Sequence, residues 1–290
     1  MAQDPLFDSA WFKWANALAH TQTLQADIQA RAKADAQPTF AFRAHYEPKR
    51  HGFALVVATV EPIPVRWGLL LGDIANNYRA SLDHLAWALV SRGRTPPGSG
   101  RLTSKQEKAV YFPVSQHRGA FNAELRLPAT PNSRPRLPGV RRADSAKVRR
   151  RQPYHYSLGN RPKHALVLLA DINNGDKHRT IQPIWVQPVG LDITVTDAKD
   201  CVVSEPSFGR TGQAIEVGAE LAFMGARRTG AEPQINVQLG VAVEPSLGER
   251  LAVKEWLVRC GIMISQLLLE FSDQPPGIDK VGAEMLPLGP

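Results

Sequence analysis

The chain has 290 residues, 43% hydrophobic and 21% charged, with two cysteines and a formal net charge of +8. A chain of this length buries enough surface to hold a core without staples, so this balance excludes a disordered polymer. Cys201 and Cys260 are too few for a disulfide scaffold or a Cys-rich zinc site.

The excess charge is local. Residues 134–151 hold eight Lys/Arg and one acid, while the remaining 272 residues balance to +1. Basicity therefore belongs to one segment, and the polyanion affinity it suggests is expected there alone. The first residues, MAQDPLFDSAWFKW, lack a basic start followed by an apolar run, and no apolar stretch approaches the ~20 residues of a membrane span. The expectation is a soluble, cytoplasmic protein that makes no use of a membrane.

The first predicted element is a helix capped by Asp8 or Ser9 and reaching about residue 34, with Phe7, Trp11, Trp14 and Leu18 on one face. Residues 39–47 and 53–61 read as a β-hairpin whose loop, PKRHG, is closed by Gly52. Pro62 and Pro64 stop its second strand. A long helix follows over 70–92, with Ile74, Tyr78, Leu82, Leu85 and Leu89 in an apolar stripe and Gly93 at its end.

Residues 93–160 are rich in Pro, Gly, Ser and Arg and show little periodicity beyond a short strand-like YFPV at 111–114. The expectation is a flexible, irregular basic insertion, with 134–151 standing away from the core. Pro162 is placed to open a helix filled by HALVLLADI (164–172), and Gly175 to break it. Runs near 183–187, 191–196 and 213–223 are expected to pair in an antiparallel sheet with residues 235–243, where Ile235, Val237, Leu239, Val241 and Val243 alternate.

A last helix covers 247–272. Val253, Leu257, Cys260, Ile264, Leu267 and Phe271 form its packing seam, which makes Cys260 a buried, inert thiol. The Pro- and Gly-rich tail after Asp273 is expected to fray. About four helices with a separate run of strands define an α+β fold, expected as a single compact domain over 1–290.

Two segments concentrate unusual polar residues. On the helix at 70–92, Asp73, Asn76, Asn77, Asp83, His84 and Trp87 fall opposite the apolar stripe. Two amides, two acids and a histidine exceed what solubility requires of one face. The second segment places Asp171, Asn173, Asn174, Asp176, Lys177, His178 and Arg179 within nine residues, directly after an apolar helix. A cluster there can hold an anion or orient a catalytic group. The two segments are expected to meet, with Asp83 or His84 close to Asp176–Arg179.

The run Tyr78-Arg79-Ala80-Ser81-Leu82-Asp83-His84-Leu85, followed later by Asn173-Asn174-Gly175-Asp176-Lys177-His178-Arg179, resembles a group of uncharacterised bacterial and phage proteins. These share an LRxxLDHL-like helix and an NxxDKHR segment, and the resemblance implies no settled activity. Arg79 and His84, with four residues between them, also resemble the Arg-x4–6-His motif of HEPN ribonucleases. That family commonly has a polar residue after the arginine, where this chain has Ala80. On an ideal helix Arg79 and His84 point roughly 140° apart.

Three functions fit this pattern. The leading one is a non-catalytic or binding protein in which a polar network fixes helices together. In that reading Arg79 and Asp83 form a surface ion pair at i, i+4, and Asp176 caps a turn after Gly175. The second is a metal-independent ribonuclease with His84 and His178 as acid and base, Arg79 and Arg179 on phosphate, and Asp83 and Asp176 orienting the histidines. Asn77, Lys177, Arg149, Arg150 and Arg151 would then touch substrate, and residues 134–151 would bind RNA or another polyanion. The third is a metal-dependent hydrolase using His84, His178, Asp83 and Asp176, though no HExxH-like signature supports it. No Walker A, GxGxxG or GxSxG pattern is present, so no cofactor is expected.

Overall fold

The computed structural model describes residues 5–32, 40–94, 102–125, 136–178, 184–195, 207–208, 216–225, 233–243 and 251–273. Four long helices carry the core: α1 (Asp8–Ala32), α2 (Val65–Gly93), α6 (Ala165–His178) and α7 (Val253–Leu269). Each apolar stripe read from the sequence faces inward. Ile74, Tyr78, Leu82, Leu85 and Leu89 of α2 are completely buried, and so are Cys260, Ile264 and Leu267 of α7. Burying such stripes supplies most of the stability of helices that propensity alone leaves marginal.

α1 and α2 run antiparallel. Ser81 Oγ donates to Ala10 O (2.8 Å), and Arg66 at the start of α2 pairs with Asp27 near the end of α1 (3.3 Å). Two tryptophans tie α1 to α7 and the residues just after it through their polar edges: Trp11 Nε1 donates to Ser272 Oγ (3.0 Å) and Trp14 Nε1 to Gly261 O (2.9 Å). The Cys260 thiol donates to Ala165 O across 3.6 Å, joining α7 to the first residue of α6. Burial raises its pKa well above the ordinary thiol range, so it is an inert core group.

The strands form two antiparallel sheets. The hairpin β1 (Phe40–Glu47) and β2 (Gly52–Val60) is extended by β5 (Glu220–Gly225) and the two-residue β4 (Ser207–Phe208), in the order β1-β2-β5-β4. The second sheet has the order β3-β6-β7, from β3 (Ile184–Val195), β6 (Pro233–Val243) and β7 (Leu251–Ala252). The segment near 220 therefore joins the hairpin rather than residues 235–243. The runs at 184–187 and 191–195 are one strand, irregular between Pro188 and Gly190. Pro188 is tolerated because β3 lies at the sheet edge. In the hairpin turn the left-handed residue is His51 (φ 50°). Gly52 is required for another reason: a Cβ there would stand 2.1 Å from Met224 O of β5.

Between α2 and α6 the described residues hold three short α-helices, α3 (Ser104–Glu107), α4 (Arg118–Leu125) and α5 (Arg142–Arg150). Phe112, Phe121, Leu137 and Val148 from this stretch belong to the same buried cluster as the bundle. The expectation that residues 134–151 stand away from the core is thus overturned for residues 136–151. The physical reason is a one-sided pattern within the basic run: Val148 and Asp144 point inward from α5 while its arginines surround them. The tail after Asp273 lies outside the described residues.

Candidate functional site

α2 begins after Pro64 and is buried over a wide arc, because α1, α6 and α7 pack on it together with the 111–115 segment. Asp73, Asn76 and Trp87 reach solvent as the helical wheel predicts, and Asp83 and His84 are half-buried. Asn77 differs. It is buried, and its Nδ2 donates to Asp73 O (2.9 Å) within the same helix. Nothing places it toward a substrate.

Arg79 and Asp83, one helical turn apart, act on one backbone unit. Arg79 Nη2 donates to Phe112 O (2.7 Å) and lies 2.9 Å from Asp83 Oδ1. The same Asp83 oxygen accepts the Phe112 N–H at 2.9 Å. An acid and a base at i, i+4 can reach one peptide segment from one helix face, and together they satisfy both polar groups of a residue whose ring is buried.

Around this clamp stands a second group of polar residues. Gln152, completely buried, donates to Pro113 O (3.0 Å) and accepts from Ser115 N (3.0 Å). Ser115 Oγ donates to Glu124 (3.1 Å), whose carboxyl is pushed up by burial against the opposing pull of that hydrogen bond and of Arg79. The Arg136 guanidinium stacks on the Tyr111 ring at 3.3 Å, with that of Arg79 at 5.8 Å. Sequence reading missed Tyr111, Glu124, Arg136 and Gln152. Their partners are up to 39 residues away in sequence or sit in aperiodic stretches, so no spacing rule marks them.

His84 takes part in none of the described hydrogen bonds. Burial lowers its pKa, helped by the Lys13 charge and opposed by Asp83, so the imidazole is neutral at pH 7. The second polar segment sits differently from expectation, because α6 passes through Gly175 and ends at His178. Asp176 is therefore inside the last helical turn and does not cap a turn after Gly175. Asn173 is buried and Asn174 exposed. The side chains of Asp176, Lys177 and His178, and all of Arg179, lie outside the described residues, and with them the expected meeting of the two segments.

Arg149, Arg150 and Arg151, expected to contact a substrate, have structural partners. Arg151 pairs with Glu270 (2.6 Å) and Arg150 approaches the same carboxylate at 3.6 Å. Lys147 Nζ donates to Glu270 O. The Arg149 guanidinium lies 5.9 Å from the Phe121 ring. Deeper in, Asp144 pairs with Arg92 of α2 at 2.8 Å, and Arg92 also lies 4.8 Å from the Phe7 ring. Gly93 lets the end of α2 seat on the 137–140 turn, since a Cβ there would stand 2.2 Å from Gly139 O.

Among the described residues no group of three or more His, Cys, Asp or Glu side chains is placed to hold a metal ion, and no helix is long and apolar enough to cross a membrane. No family model matches the chain, and no curated protein or solved structure is similar enough to count as a match.

Proposed function

We propose that this is a non-catalytic binding protein in which the polar residues of α2 hold an irregular segment in fixed shape on the helix bundle, presenting it to a polyanion such as RNA. One observation carries the reading. The two most reactive-looking residues of α2, Arg79 and Asp83, are both bonded to the peptide groups of Phe112. A residue that satisfies a buried backbone serves the fold, and removing it leaves unpaired groups behind. Arg142, exposed at the start of α5, and Arg149, half-buried near its end, supply positive charge for the partner.

The test compares cleavage with stability. Wild-type protein is expected to leave single-stranded and structured RNA intact. His84→Ala and His178→Ala are expected to melt no higher than wild type. Metal-independent RNA cleavage by wild type, lost in both variants at unchanged melting temperature, would overturn the reading in favour of a HEPN-like ribonuclease. Cleavage abolished by a chelator would point instead to a metal-dependent hydrolase.

A further inference from the structure

We infer that Arg136, stacked on Tyr111 beside Arg79, is a binding group for phosphate, whether free or in a nucleic-acid backbone. The inference deepens the polyanion reading and rests on it for the macromolecular ligand.

Three observations converge. First, two guanidinium groups approach one aromatic ring, Arg136 at 3.3 Å and Arg79 at 5.8 Å. Each is attracted by the ring, but the two repel each other. Second, their charges are matched unequally. Arg79 has Asp83 and the Phe112 carbonyl. Arg136 makes no side-chain hydrogen bond and no ion pair among the described residues, and its five donors form a planar fork suited to phosphate oxygens. Third, the backbone at this position is tied down and the guanidinium lies on the Tyr111 ring. Arg136 N donates to Glu124 O (2.9 Å), and the next residue, Leu137, is almost fully buried. A donor fork held in place loses little freedom when a ligand arrives.

The electrostatic balance favours an anion. Burial and the Arg79 charge both lower the Arg136 pKa, with Asp83 opposing, which marks a cation short of compensation. Asp83 is already committed to Arg79 and Phe112. The remaining acid, Glu124, is pushed by burial toward its neutral form. Polyanion binding in this region therefore has a specific seat on the surface between α2 and α4, distinct from the diffuse charge of α5.

The experiment has two arms on the full chain. In one, melting temperature is measured in phosphate and in chloride at matched ionic strength. In the other, a short labelled single-stranded RNA is titrated at several salt concentrations. Phosphate is expected to raise the wild-type melting temperature above its value in chloride, and Arg136→Gln to erase the rise. The same variant is expected to bind RNA about tenfold more weakly, with a log–log salt slope smaller by about one. Arg136→Lys keeps the charge without the fork and is expected to lose part of both effects. It carries the comparison if the glutamine variant melts early in chloride.

RNA binding and a phosphate effect that are the same in wild type and both variants would overturn the site and leave the polyanion reading standing. A phosphate effect lost in Arg136→Gln, with no RNA bound by wild type, would keep the site for free phosphate and retire the polyanion reading. Absence of both effects in wild type would overturn both.

Discussion

The stretch between α2 and α6 is fastened to the bundle at two places by different means. At residues 111–115 the fastening uses peptide groups: Asp83 and Arg79 of α2 take the N–H and C=O of Phe112, while Gln152, from the same stretch, braces it by taking those of Ser115 and Pro113. At α5 it uses full charges, with Asp144 on Arg92 and Arg150 and Arg151 on Glu270. A backbone clamp fixes direction and spacing, because two donors and acceptors must align at once. An ion pair fixes proximity, and its worth depends on how much water it excludes. The second fastening contains both extremes: Asp144 has 7% of its side chain exposed, whereas Arg151 has 35% and Arg150 65%.

That contrast gives the largest expected effect. Removing one partner of a buried pair strands the other charge, so Asp144→Ala is expected to cost about 3–5 kcal/mol. Arg92 would remain against the Phe7 and Phe271 rings without the Asp144 carboxylate. Denaturant unfolding measures the loss. A cost under about 1 kcal/mol would mean that Arg92 is served adequately by its aromatic neighbours and carbonyls, and that the pair is no deeper in effect than the pairs at Glu270.

The point where the segment runs into α6 depends on pH. His164 is buried, its Nδ1 accepts the Leu166 N–H (3.2 Å), and its carbonyl accepts from Val167 and Leu168, so it caps the helix. Burial lowers its pKa to about 4 from an ordinary 6.5. The unfolded chain therefore takes up a proton that the folded one refuses. Stability is full above pH 6.5, declines as pH falls toward 4, and is flat for this group below that. The total is at most about 3 kcal/mol. His164→Asn keeps a cap acceptor and is expected to flatten this decline while matching wild type at pH 7.5. An unchanged pH profile in that variant would assign the acid sensitivity elsewhere.

Breaking the backbone clamp is expected to do less, and locally. Asp83→Ala leaves the Phe112 N–H unpaired and Arg79 without its acid, at about 1–3 kcal/mol. Hydrogen exchange should accelerate at Phe112 before it does in α1 or α7, since a single attachment opens without unfolding the bundle. Equal acceleration throughout would show that residues 111–115 belong to the same cooperative unit as the bundle.

The bundle was legible in the sequence because its signal is periodic. The stripe from Ile74 to Leu89 and the seam from Val253 to Phe271 obey helix geometry, and every residue in them is buried. The α5 helix was not legible. Its sequence, RADSAKVRR, has one apolar anchor, Val148, and an acid whose partner lies 52 residues earlier, so composition pointed to a solvated run. The α2 polar face was half legible: the Arg79–Asp83 pair follows from spacing, but its backbone target at Phe112 does not. Asn77 was misplaced because the buried arc of α2 exceeds that of a helix packed on one side. At Gly175 local propensity lost to the helix ladder, a conflict worth only about 1 kcal/mol.

The smallest effect sharpens the comparison from the exposed side. Arg151 donates from Nε to Glu270 Oε1 at 2.8 Å and lies 2.6 Å from it through Nη2, a geometry good enough to suggest a strong pair. Exposure argues otherwise. Water screens the pair, and ordering a long side chain offsets part of the attraction, so Arg151→Ala is expected to cost only about 0.2–1 kcal/mol. The same cost should shrink as salt rises, unlike that of Asp144→Ala. A double-mutant cycle with Glu270→Ala separates the pair from the packing of the arginine stem. Coupling above about 2 kcal/mol, unchanged by salt, would place the Glu270 end in the same class as Arg92–Asp144, and the division between a deep and a shallow end of this fastening would fail.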